Sequence, residues 1–265
     1  MKKIMMVMLG SLLLILTACS QSNVYEYIID ESYTEFITMG TSAEYPPYEW
    51  PINVDGKQQI VGIDIEIAKI IAKAVGKNLK VINKGFDFLL EDLEQGKVDM
   101  VIAGMTPTEQ RAEIVDFSKV YYNAVQVILI HENDQDVFTS FDSLNQANVR
   151  IGAQTGSIQQ DLAETFTLAQ KQFVQTIPDL VLRVQEGQIE ALILEKPVAD
   201  GYVSNLEGLM IADIHIGDPD GGSAVAVKKG NEALLTIVNQ VIDELILSGQ
   251  MSKIVEEMIL LNSGS

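Results

Sequence analysis

The chain has 265 residues, 47% of them hydrophobic, and 18 basic against 37 acidic residues give it a net charge of −19. That length suits one large domain or two smaller lobes with ample core. The acidity argues against nucleic acid and anionic lipid surfaces as partners, and a lone cysteine, Cys19, excludes a disulfide framework.

At the N-terminus, Lys2 and Lys3 precede an apolar stretch from Ile4 to Leu16, short for a membrane span. Leu16-Thr17-Ala18-Cys19 follows, and the segment resembles a bacterial lipoprotein signal. The resemblance implies a signal peptide over residues 1–18 and an acylated Cys19 as the new N-terminus. Without Lys2 and Lys3, 16 basic residues face 37 acids, a charge of −21. Residues 19–33 are polar and acidic with scattered aromatics, and read as a tether.

Strand-like and helix-like segments then alternate, which argues for an α/β architecture. EFITMGT reads as a short strand. In EYPPYEW (44–50), Pro46-Pro47 stiffen a loop carrying Tyr45, Tyr48 and Trp50. GIDIEIAKIIAKAVGKN has a helical apolar stripe (Ile67, Ile70, Ile71, Ala74), with Asp64 as candidate N-cap and Gly76 as stop. FDFLLEDLEQG reads as a helix ending at Gly96, and VDMVIAG as a buried strand ending at Gly104. Thr108 can cap the next helix, although Arg111 occupies the position where a capping box has its acid. YYNAVQVILIHEN (121–133) suits a strand passing from one lobe into another. GAQTGSIQQ (152–160) turns from a strand end through Gly156-Ser157 into a helix, and LILEKP places Glu195 at the end of an apolar strand. IADIHIGDPDGGSAVAVKKGN (211–231) suits a return crossing, so the helical segment 231–261 completes a discontinuous first lobe.

LEQGKVDMVIAG (93–104) and VQEGQIEALILE (184–195) read alike, 91 residues apart, as helix end, glycine, then apolar strand. A true repeat makes Gly104 and Glu195 equivalent strand-end positions in two similar lobes. Ligands of open α/β sheets bind at such ends.

Four features collect there. An arginine in a helix's first turn opposes the dipole, so Arg111 calls for an anion; the bland alternative is a surface pair with Glu113 or Asp116. Amides at the helix beginning near Ser157 can bind a carboxylate, or belong to an ordinary βα turn. Glu195 is either a solvent-facing strand end or a partner for an ammonium group. The rings of EYPPYEW are rim packing or the walls of a small-ligand pocket. Taken together, they complement a free α-amino acid.

The order EYPPYEW, VGIDIEIAK, GKVDMVIAGMTPTEQRAEIVDFSKVYYN, VRIGAQTGSIQQ, LEKP and AVAVKKGN resembles the polar amino acid receptors of ABC importers, solute-binding protein family 3. The resemblance runs from about Thr34 to the end. It implies a two-lobed periplasmic-binding-protein type II fold with a two-strand hinge, lobe 1 over 34–124 and 218–265 and lobe 2 over 125–217. It further implies that Arg111 forks onto the ligand carboxylate, that Thr106 and Gly104 help hold the ammonium and carboxylate, and that the Ser157 hydroxyl touches the carboxylate. Glu195 would bind the ammonium and Tyr45 stack on the side chain. Departures from the family pattern are Ile63 in place of an aromatic and Glu195 in place of aspartate. Ser42 and Gln154 stand where relatives vary with side-chain preference.

Glu44 and Glu49 flank the loop where a ligand side chain would project, which favours a polar amino acid, the cationic arginine first and the neutral glutamine next. The partners implied are a membrane permease and its ATPase, with the receptor monomeric and lipid-anchored on the outer face of a Gram-positive cell. An enzyme on the same fold, such as a cyclohexadienyl or arogenate-type dehydratase, would need an acid or base in the cleft. The only histidines, His131 and His215, fall in the crossing segments, and Glu195 is explained by ammonium binding. A surface adhesin without a ligand is disfavoured by the Arg111 and Glu195 pairing. No cofactor is implied, and the dispersed acids with no His/Cys cluster give no metal site.

Overall fold

The structure, a computed structural model, describes residues 23–217 and 221–263. The expected signal peptide and Cys19 lie outside the described residues, as do residues 218–220 in the return crossing. In chain order the first part contains β1 (Val24–Tyr27), β2 (Phe36–Thr41), the hairpin β3 (Trp50–Val54) and β4 (Lys57–Val61), and α1 (Ile63–Ala74). It continues through β5 (Asn78–Asn83), α2 (Leu89–Glu94), β6 (Met100–Val101), α3 (Glu109–Ile114) and β7 (Val115–Asn123). The second part has β8 (Gln126–His131), α4 (Phe141–Leu144), β9 (Arg150–Gln154), α5 (Ile158–Glu164) and β10 (Gln170–Val174). It closes with α6 (Ile177–Gln185), β11 (Ala191–Glu195), α7 (Lys196–Asn205) and β12 (Leu209–Ala212). The chain then returns through β13 (Gly222–Lys228) to α8 (Glu232–Leu247) and α9 (Gln250–Ser263).

Two sheets result, ordered β1-β5-β2-β6-β13-β7 and β10-β9-β11-β8-β12. β13 enters the first sheet between β6 and β7, so the first lobe is built from both ends of the chain. The chain changes sheet between Asn123 and Gln126, and again between Ala212 and Gly222. Gly222 pairs with Asn123, which sets the two crossings side by side.

β11 reads ALILE and is buried along its whole length. Helices pack against it, so a continuous apolar run replaces alternation. A charged residue ending such a strand cannot reach water, and Glu195 is 2% exposed. The two halves of the suspected repeat end their helices alike. Gly96 and Gly187 take φ of 71° and 65°. In both, the glycine N–H donates three residues back, to Leu93 and to Val184. The next N–H reaches five back, from Lys97 to Asp92 and from Gln188 to Arg183. This is the same glycine-based helix stop in each lobe.

Two expectations need correction. The tether does not extend to residue 33, because β1 pairs antiparallel with β5 from Val24↔Ile82 to Tyr27↔Leu79. Tyr27 fixes it further by donating to the Ile60 carbonyl at 2.6 Å. Asp64 does not cap α1. The N-cap position is Gly62, at φ 138°, where an added Cβ would sit 1.9 Å from the Tyr48 carbonyl oxygen. That close approach lets the amides of Ile63 and Asp64 donate to the carbonyls of Pro47 and Tyr48, both at 3.0 Å. The start of α1 thereby clamps the aromatic loop, and the Asp64 side chain turns inward.

Candidate functional site

A pocket with about 340 Å³ of empty volume lies between the lobes, lined by both. Eight of the nine ligand-contact residues expected from sequence line it: Ser42, Tyr45, Gly104, Thr106, Arg111, Gln154, Ser157 and Glu195. The ninth, Ile63, does not. It is fully buried in the core at the start of α1, and Phe86, just past β5, supplies an aromatic wall instead.

Arg111 stands at one side. Thr108 caps α3 by accepting from the Arg111 amide at 3.2 Å, which points the side chain back over the turn before it. Nη1 donates to the Thr106 carbonyl at 2.6 Å and Nη2 to the Gly156 carbonyl of the other lobe at 3.0 Å. The guanidinium lies over Phe86, 5.5 Å from the ring centre. Burial lowers its pKa to about 10, against the favourable charge of Asp161. The surface pair is not what forms: Asp116 binds Lys229 at 2.9 Å, and the Glu113 position is exposed.

On the other side the pocket carries carboxyl groups. Glu195 accepts from the Tyr48 hydroxyl at 2.5 Å, and its own amide faces the Tyr45 oxygen at 3.4 Å. Burial pushes its pKa up to about 7, more than the bonds from Tyr48 and Gln126 lower it. Asp64 accepts from the Gly104 amide and from the Tyr121 hydroxyl, both at 2.7 Å, and burial pushes it up to about 6. The Gly104 amide is thus occupied, and the backbone there can offer a ligand its carbonyl rather than that N–H. Glu49, between Tyr48 and Trp50, is fully buried and lines the pocket, yet neither carboxyl oxygen meets a donor. Burial and the neighbouring Asp64 carboxyl raise it well above the usual range; a hydrogen bond between the two requires one to be protonated. Among the described residues, no group of acids and histidines is arranged to hold a metal ion.

Tyr45 stacks on Tyr48, with ring centres 5.5 Å apart and planes 15° from parallel. Gly104 packs against that pair at φ 55°, where a Cβ would come within 3.2 Å of the Tyr45 ring. Trp50 is buried but does not reach the pocket. Ser157 caps α5 by accepting from the Gln160 amide at 3.3 Å, and donates to the Gln154 carbonyl at 2.8 Å. Ser42 is buried at the wall. Glu44, expected beside the ligand side chain, does not line the pocket; it reaches across to Gln154 and Ile177. Sequence reasoning missed Phe86, Ala103, Ile158 and Gln159 as lining residues, and Gln126, which pairs with Glu195 across β8 and β11. Two signals were available. Phe86 follows Gly85 at a strand end, and Gln126 is the one polar side chain opening the apolar run QVILI.

The pocket can therefore offer a guanidinium on one side, the buried carboxyls of Glu49 and Glu195 on the other with Asp64 behind them, and aromatic walls between. A family model described as bacterial extracellular solute-binding proteins, family 3, matches residues 37–260. The chain is 34% identical over 245 residues to the arginine-binding extracellular protein ArtP of Bacillus subtilis, covering 90% of each chain. A crystal structure of the amino acid ABC transporter substrate-binding protein AbpA from Streptococcus pneumoniae, bound to L-arginine, superposes with a TM-score of 0.83. It is 34% identical and is matched over 86% of this chain and 95% of its own. A second crystal structure, of the substrate-binding protein of an amino acid ABC transporter, gives a TM-score of 0.80 at 39% identity, over 84% of this chain and 98% of its own.

Proposed function

The chain belongs to the bacterial extracellular solute-binding proteins of family 3, and on that premise we propose that it captures a free polar amino acid between its lobes for an ABC importer. It is a receptor rather than an enzyme: the relatives reported above are named as binding proteins. The observation that carries the ligand class is the pair Glu49 and Glu195, two buried carboxyls that both line the pocket. Ionising a carboxyl so deeply buried is costly, so a cation that arrives from outside completes the site by stabilising the charged form. Arginine is the first choice and glutamine the next. Similarity to an arginine-binding protein of Bacillus subtilis and to a structure bound to L-arginine supports the first choice.

In this reading Arg111 takes the ligand carboxylate, aided by Thr106 and Ser157. Glu195 takes the ammonium, Tyr45 covers the side chain, and Glu49 faces its cationic end. The receptor acts outside the cytoplasm. Acylation of Cys19 would hold a monomer on the outer face of a Gram-positive membrane, beside the permease and ATPase that take up the ligand. Calorimetric titration of the mature domain against the twenty amino acids tests the reading. Arginine should bind tightest, and tighter binding of leucine or phenylalanine than of arginine, lysine, histidine and glutamine would refute it.

A further inference from the structure

Glu44 lies in the loop after β2, outside the pocket lining, and both of its partners belong to the other lobe. Its Oε1 accepts from the Ile177 amide at 3.3 Å and from Gln154 Nε2 at 3.2 Å. Ile177 opens α6, a nine-residue helix that lacks a cap of its own. The residue at the cap position, Thr176, turns its hydroxyl to Asp179 at 2.5 Å instead. Pro178 has no N–H to present. The first amide of α6 is thus left for an acceptor from outside the helix, and lobe 1 supplies it.

Around this contact the rim is tied further. Gln154 Nε2 also donates to the Gln175 carbonyl at 2.9 Å, and Gln175 Nε2 donates to Asp87 of lobe 1 at 3.1 Å. The cross-lobe bonds at this rim run between protein groups, and all are lost when the lobes separate. We infer that Glu44 is a closure latch, capping α6 from the opposite lobe and favouring the closed form equally for every ligand. It acts as a hydrogen-bond acceptor, so its charge does not read the ligand's side chain. This inference refines the proposed receptor function, because a ligand held between closed lobes gains affinity from anything that favours closure.

Two measurements test it. The first needs no ligand: electron–electron distances between spin labels at Lys73→Cys and Glu186→Cys, in a Cys19→Ala background. Both positions are exposed, one on each lobe. Glu44→Ala should shift the distribution to longer distances, and Glu44→Gln, which keeps the acceptor oxygen, should match the parent. The second compares L-arginine with L-citrulline, whose neutral side chain has nearly the same shape. Glu44→Ala should weaken both by a common factor of about ten, the loss of one to two hydrogen bonds, and Glu44→Gln should stay within about threefold of the parent. An unchanged distance distribution in Glu44→Ala overturns the latch. So does a loss confined to arginine in either variant, because Glu44 would then read ligand charge. If neither compound binds the parent, the receptor reading fails while the distance measurement still decides the latch.

Discussion

Arg111 has five N–H donors, and two of them hold backbone carbonyls from opposite lobes, Thr106 and Gly156. The remaining donors keep the planar fork that a carboxylate needs, and a lysine ammonium cannot span both carbonyls and the ligand. Truncating one partner of a desolvated charge pair costs about 2–5 kcal/mol, roughly thirtyfold to several thousandfold in affinity. Arg111→Ala should lose that much for arginine by titration calorimetry, Arg111→Lys nearly as much, and the ligand-free melting temperature should change little. A loss under about threefold would make Arg111 a local strut rather than a ligand contact. Arg111 and Glu195 were legible as single residues because each breaks a local rule. A cation sits in a helix's first turn, and an acid ends an otherwise apolar strand. Asp64 and Ile63 were misread for other reasons. Asp64 satisfies a local rule, as a cap, and Ile63 was placed at the ligand only by the family resemblance. Their actual places depend on Gly62 meeting Tyr48, a contact 14 positions apart in the chain that leaves no periodic trace.

At the scale of elements, the matching helix stops make a symmetric prediction. A Cβ at Gly187 would meet nothing, and one at Gly96 would meet only the flexible end of Lys228 at 3.7 Å. Replacement by alanine therefore costs backbone strain alone, about 1–2 kcal/mol for the left-handed conformation. Gly96→Ala and Gly187→Ala should lower stability by similar amounts in urea titrations, while arginine affinity stays unchanged. Unequal losses would mean that the two stops are alike only in outline. These units were readable in the sequence because helix, glycine and apolar strand fall within twelve residues. β1 was not. It is four residues long, its partner lies more than fifty positions away, and only Tyr25 and Tyr27 face inward. Two aromatics in an acidic segment look the same in a tether as in an edge strand.

Across the whole molecule, the pocket's carboxyls link protons to both folding and capture. Glu49, Asp64 and Glu195 face one another, with Tyr45, Tyr48 and Tyr121 beside them and Arg111 across the pocket. Burial raises all three, to about 6 for Asp64, about 7 for Glu195, and well above the usual range for Glu49. A carboxyl raised by folding binds more protons in the folded chain than in the unfolded one. Its contribution is therefore complete below the unfolded value and declines as pH rises through the folded value. The ligand-free protein should melt at a lower temperature at pH 8 than at pH 5.5, and the net charge of −19 adds self-repulsion in the same direction. A cationic ligand reverses the preference of these groups. Its ammonium and side chain favour the charged carboxyls, so binding expels protons. Affinity should rise with pH through this range, by up to about tenfold per pH unit for each proton released. Calorimetry at pH 6.5 in two buffers of different ionisation enthalpy counts those protons directly. Arginine should release about one or more, and Glu49→Gln, isosteric and uncharged, should reduce the count. Zero release, or an affinity that falls as pH rises, would mean that the ligand's positive charges rest elsewhere than on this carboxyl cluster.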